Sequence, residues 1–79
     1  MSVDMSTTNA VVHIDESLDD ARRDSLLATV REAKGVIAVG YHNEKPHLMI
    51  VVFNHKDLAS RDVLALVKGA GVHAELTGG

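Results

Sequence analysis

The chain of 79 residues contains no cysteine. That excludes a disulfide framework and any thiolate metal site, and leaves apolar packing alone to hold a small core together. Tryptophan is absent too, and Tyr41 and Phe53 are single representatives of their types. Val, Leu, Ile and Ala must therefore fill the interior, within a hydrophobic content of 46%. There is no excess of positive charge: the formal net charge is -3, and the lysines and arginines are scattered with no aromatics between them. A nucleic-acid module would carry a basic stripe with stacking platforms, so that class is set aside. Long hydrophobic runs are missing as well. The longest, Leu48 to Phe53, falls far short of the roughly 20 residues a membrane helix needs. Met1 to Asn9 is polar and lacks the apolar segment of a secretory signal. The expectation is a soluble, cytoplasmic, single-domain protein.

What is present falls into a regular alternation of elements. Residues 1–9 read as a flexible tail, residues 10–76 as the domain and residues 77–79 as a short C-terminal tail. Ala10 to Asp15 is rich in β-formers and gives the first strand. Ser17 reads as the N-cap of a helix running to about Lys34, with Asp19 and Asp20 suited to its positive end. Leu26, Val30 and Ala33 recur on one face of that helix, with Leu18 and Leu27 beside them. Gly35 takes the position past the helix end that favours glycine. Val36 to Tyr41 and His47 to Phe53 form a hairpin around the polar turn His42 to Pro46. A second helix spans about Ala59 to Ala70, capped by Asp57 or Ser60, with Val63, Leu66, Val67 and Ala70 on one face. Gly69 and Gly71 close it, and Val72 to Leu76 is the last strand.

The order βαββαβ with right-handed crossovers specifies an α+β, ferredoxin-like sandwich. Its four-stranded antiparallel sheet has the order 4-1-3-2, with both helices on one face. The other face is then open. If Met49, Val51 and Phe53 point inward, Leu48, Ile50 and Val52 lie on the open side, because side chains alternate along a strand. An apolar row of that kind marks an interaction surface. His13 on the first strand and His73 on the last are expected on the same face.

Leu26 and Val30 before Gly35-Val36, then Val39, Phe53-Asn54, Val63, Val67 and Gly71-Val72, carry a resemblance to the heavy-metal-associated (HMA) domains. These are the small domains of copper chaperones and metal-pump N-termini, and the resemblance covers about Val11 to Leu76. It implies the same fold. The family's motif, Gly-Met-x-Cys-x-x-Cys between the first strand and first helix, falls on Glu16 and Ser17 for its glycine and methionine. Its cysteines fall on Asp19 and Arg22, so none of the four is retained. Family members hold Cu(I) through two thiolates because a soft ion takes soft ligands. An aspartate and an arginine cannot do so, and the resemblance implies no Cu(I) site here. Asp19 and Arg22 read instead as an i,i+3 ion pair worth about 0.2–0.5 kcal/mol. The ACT domain shares the topology, but the glycine of its first loop is also missing.

Five histidines are many for this length: His13, His42, His47, His55 and His73. Imidazole suits Zn, Cu(II) and Ni. His13 and His73 are the expected pair on the open face, which a symmetric dimer would double, and His42 and His47 flank the hairpin turn. The acidic run Asp15, Glu16, Asp19 and Asp20 lacks the alternating ligands and central glycine of a calcium loop. It reads as charge complementing the helix end. No nucleophile sits beside a base and no glycine loop cradles phosphate, so no enzyme is expected. Taken together, the sequence reads as a non-catalytic HMA-like module. Its expected mode of action is protein contact through Leu48, Ile50 and Val52, in a homodimer or against another protein. The alternative is a histidine-based binder of a divalent metal, or an accessory protein in metal handling.

Overall fold

The computed structural model describes residues 6–77. The elements are β1 (Thr7–Ile14), α1 (Asp20–Arg31), β2 (Val36–Tyr41), β3 (Leu48–Asn54), α2 (Ser60–Gly69) and β4 (Ala74–Leu76). They build one four-stranded sheet in the order β2-β3-β1-β4, antiparallel at every pairing. This is the ferredoxin-like arrangement expected from the element order.

Strand alternation sorts the core. Val12 and Ile14 on β1 and Met49, Val51 and Phe53 on β3 are buried, and meet Leu26 and Val30 of α1 and Val63 and Val67 of α2 in one cluster. Each fully buried aliphatic or aromatic side chain of this kind contributes about 1.5–3 kcal/mol relative to exposure. Leu48, Ile50 and Val52 fall on the opposite face and remain half-buried. Across β1 and β3, Ile50 stands opposite Val11 and Leu48 opposite His13. On β2, Ala38 and Gly40 stand opposite Val52 and Ile50, so the apolar row continues across the sheet.

Several boundaries differ from the sequence reading. β1 starts at Thr7, because Thr7, Thr8 and Asn9 pair with Asn54, Phe53 and Val52. Backbone pairing with a central strand needs no apolar side chain at those positions. Of the rest of the expected tail, Ser6 accepts the His55 N–H on its carbonyl at 2.8 Å, and residues 1–5 lie outside the described residues, as do residues 78–79. Thr77, expected in the C-terminal tail, donates its N–H to the carbonyl of Val11 at 2.9 Å. The N-cap of α1 is Asp19 and not Ser17: its carboxylate accepts the Arg22 N–H at 2.8 Å. Ser17 stays exposed in the loop while Leu18 packs against the core. α1 ends at Arg31, and the chain turns through Gly35 at φ +96°. That backbone region is open to glycine at no steric cost. A Cβ on Gly35 would also lie 2.8 Å from the Cβ of Asp57.

In α2 neither Asp57 nor Ser60 is the cap. Ala59 holds that position, and its N–H is bound by the Asp62 carboxylate at 2.8 Å. Val63 and Val67 are buried as expected, but Leu64 joins them against the core. Leu66 lines an outer groove with Leu58 and Ala65, and Ala70 is exposed. Among the described residues no helix is long and apolar enough to cross a membrane.

Candidate functional site

The end of the sheet where β1 leaves for α1 gathers most of the ligating side chains. On β1 the odd residues face the open side, so His13 stands on it and Asp15, two residues on, follows the same alternation. β4 is paired so that Glu75 lies opposite His13 and Ala74 opposite Ile14. One ligand atom from each of His13, Asp15 and Glu75 lies within 4.8 Å of the others. His13 is half-buried, and the two carboxylates are exposed.

The imidazole of His13 is held by its surroundings on one side and left unsatisfied on the other. Its ring stacks on that of His47, centroids 5.8 Å apart and planes 19° from parallel. Its Nδ1 lies 3.3 Å from Asp15 Oδ1, outside hydrogen-bonding geometry, and is shielded from solvent with no hydrogen-bond partner. A buried polar atom left so costs about 1–3 kcal/mol. A cation among the three side chains would supply the missing partner. One imidazole and two carboxylates form a nitrogen-oxygen donor set that suits borderline divalent ions and not Cu(I).

His73, the other histidine expected on this face, has a different partner. It lies one step beyond the β4 ladder, and its backbone carbonyl accepts the Asp15 N–H at 2.9 Å. Its ring Nδ1 meets Glu16 Oε2 at 2.8 Å. The Glu16 carboxylate also accepts the His73 N–H, at 2.9 and 3.1 Å. These bonds, led by the one from the ring, hold the Glu16 carboxyl below the usual carboxylate range. The structure thus joins His13 to Asp15 and Glu75, and joins His73 to Glu16. Asp15 carried a visible signal, the i,i+2 spacing from His13 at a strand end. Glu75 carried none, since only the register between β1 and β4 brings it there.

The remaining predicted positions are also placed. Asp19 and Arg22 are the two ends of the helix-cap hydrogen bond, through the Arg22 backbone and not its guanidinium. His42 Nδ1 accepts the Glu44 N–H at 3.1 Å. His47 turns the other way, its Nδ1 2.7 Å from the Ile14 carbonyl, so the two hairpin histidines serve separate contacts. Leu48, Ile50 and Val52 lie along the open face beside His13.

No protein-family profile matches the chain, and no curated protein does either. Solved structures do match. A copper binding domain from HMA7, a P-type ATPase, superposes with a TM-score of 0.79 at 20% identity, over 89% of this chain and 93% of that one. Oxidized MerP from Ralstonia metallidurans CH34 gives a TM-score of 0.79 at 14% identity, over 91% and 99% of the two chains. The Cu(I)-loaded first domain of the human copper chaperone for SOD1 gives 0.71 at 25% identity, over 91% and 94%. The fold is that of the heavy-metal-associated domains, in a chain without a cysteine.

Proposed function

We propose that this HMA-like domain is a non-catalytic binder of a borderline divalent cation, held by His13, Asp15 and Glu75. The observation that carries the reading is the approach of three ligand atoms to within 4.8 Å of one another. The unpartnered Nδ1 of His13 supports it. The solved structures of the same fold include copper-binding domains, which gives the reading a precedent in fold but not in ligands. Zn²⁺ and Ni²⁺ fit the donor set, and Cu²⁺ fits it through the imidazole. Three protein ligands leave coordination positions for water or for a group brought by another molecule. His13 must be neutral to bind, so affinity falls in acid.

The test is calorimetry and amide NMR of labelled protein with Zn²⁺, Ni²⁺ and Cu²⁺. Saturable shifts confined to the neighbourhood of His13, Asp15 and Glu75 are expected. Asp15→Asn and Glu75→Gln are each expected to weaken binding by at least the roughly 10–100-fold that loss of an outer-shell partner costs. His73→Gln separates this trio from the His13 and His73 pair, leaving the affinity intact in the first case and destroying it in the second. Absence of any saturable shift sinks the reading.

Contact through the open face stands as a second reading. It is favoured by the continuity of Leu48, Ile50 and Val52 with Val11 and with the cation cluster at His13. Its partner is a second copy or another protein. Sedimentation over a dilution series, with and without Ile50→Asp, tests the second copy: a concentration-independent monomer in both rules it out.

A further inference from the structure

The two edges of the sheet are built differently. β4 closes one edge with three residues, one of them Glu75. β2 closes the other with six, Val36–Tyr41, and holds neither a charge nor a proline. Short length, charge and proline are the devices that keep an edge strand from taking up another strand. By that measure β4 is guarded and β2 is not. β2 has one irregularity, a register shift between Val36 and Ala38, which makes Ile37 the extra residue of a bulge. Ile37 is 54% exposed, the most exposed large apolar side chain among the described residues.

Hydrogen bonding decides which groups of β2 point outward. Ala38 stands opposite Val52 and Gly40 opposite Ile50, and the His42 N–H donates to the Leu48 carbonyl at 2.9 Å. Bonded and non-bonded pairs alternate along an antiparallel ladder, so Ala38, Gly40 and His42 turn their backbone groups to β3. Val39 and Tyr41 turn theirs the other way, to the side where the sheet has no further strand. On the open face this edge is bare: a Cβ on Gly40 would meet nothing within 4 Å.

We infer that this edge pairs with a second copy of the chain, β2 antiparallel to β2 about a two-fold axis at Val39. The flanking charges select that occupant and that direction. Glu32 and Lys34 precede the strand, and Glu44 and Lys45 follow it. Lys34 and Glu44 are equally far from Val39, so the axis sets Lys34 opposite Glu44 of the partner copy. Glu32 then comes beside Lys45 of the partner copy. Parallel pairing would instead set like charges side by side. Among the described residues none of these four side chains has an ion-pair partner within the chain. The same axis lets the two Val39 residues exchange N–H···O=C bonds. It also places Ile37 opposite Tyr41 of the partner copy, an aliphatic–aromatic cross-strand pair. Such a contact covers a strand edge, below the roughly 1,200 Å² of stable interfaces, so the dissociation constant is on the order of 0.1 mM. β2 lies at the opposite edge from β4 and its Glu75, and the pairing uses none of Leu48, Ile50 and Val52. It is therefore independent of both readings of the function.

The experiment is sedimentation equilibrium over roughly 0.01–1 mM protein, with amide hydrogen exchange at both ends of that range. A monomer–dimer equilibrium is expected, and the Val39 amide should exchange more slowly at the high concentration. Lys34→Glu and Glu44→Lys each create two like-charge pairs across the axis. Each is expected to raise the dissociation constant about fivefold or more. The two together restore opposite signs and should return it to the parent value. Ile37→Lys puts a charge on the edge at an exposed position, and is expected to remove the dimer while the dilute protein keeps its folded spectrum. Three results would each overturn the proposal. They are a monomer at every concentration, a double reversal no tighter than either single one, and a dimer that Ile50→Asp dissolves while Ile37→Lys leaves it intact.

Discussion

On β3, Met49, Val51 and Phe53 face the helices and are at most 1% exposed, whereas Leu48, Ile50 and Val52 face no second layer and stay half-buried. The two sets are equally apolar and alternate along one strand. Burial under α1 and α2 accounts for the first set: those positions must be apolar for the sandwich to close. It accounts for nothing in the second, where an antiparallel sheet ordinarily turns polar residues to water. An apolar residue that the fold requires and one that it merely permits are thus separated by the position of the helices alone. The permitted row runs up to His13, where its cluster with Asp15 and Glu75 begins.

That contrast can be broken by truncating one residue from each set. Phe53→Ala is expected to cost about 3–5 kcal/mol, the usual loss for a buried aromatic. Ile50→Ala should cost roughly 1 kcal/mol or less, since most of its surface loss is shared with solvent. Thermal melts read the difference directly, at about 4–8 °C per kcal/mol for a domain of this size. Equal losses would mean that the open face is covered in solution.

The helical layer that makes the contrast is fastened at its ends, and these fastenings are worth less than the core. Asp19→Ala removes the carboxylate that caps α1 and is expected to cost about 1 kcal/mol. Arg22→Ala should cost within about 0.5 kcal/mol, because the Arg22 backbone and not its side chain is the partner. Denaturant midpoints for the pair distinguish a cap from an ion pair, which would make the two losses alike.

The smallest effect concerns a polar group caught on the covered side. Burial pushes the Tyr41 phenol above its ordinary value of 10.0, and the Arg23 charge pulls it back only in part. The folded state therefore favours the neutral phenol more than the unfolded chain does. Its contribution is complete below about pH 10 and is lost as pH rises through the higher folded value. Stability measured from pH 9 to 11 should decline, and Tyr41→Phe should flatten that decline. A slope unchanged in Tyr41→Phe would assign the decline to other groups.

Much of the fold was legible because its signals are local. The alternation of Leu48 to Phe53, the helical spacing of Leu26 and Val30, and the glycine at position 35 each act within a few residues. The candidate site was legible only in part, for a physical reason. Alternation tells which face a side chain takes, but not the offset between strands far apart in sequence. His13 and His73 share a face by parity, yet the register of β4 sets Glu75 opposite His13. The ring of His73 turns to Glu16, a residue 57 positions away. The cap at Asp19 was missed for a related reason. Ser17 and Asp19 are both good caps by type, and the packing of Leu18 decides between them.

β4 is only three residues long, and it lies at an edge of the sheet beyond β1. Few backbone bonds hold it, so it belongs among the segments that open without the whole domain unfolding. Amide hydrogens on Glu75 and Thr77, which face β1, should therefore exchange with solvent faster than those on β3. Glu75 travels with the strand when it opens. An ion held between Glu75 and the β1 side chains would clip the edge shut, and slower exchange at these amides would report its arrival even where the average structure does not change.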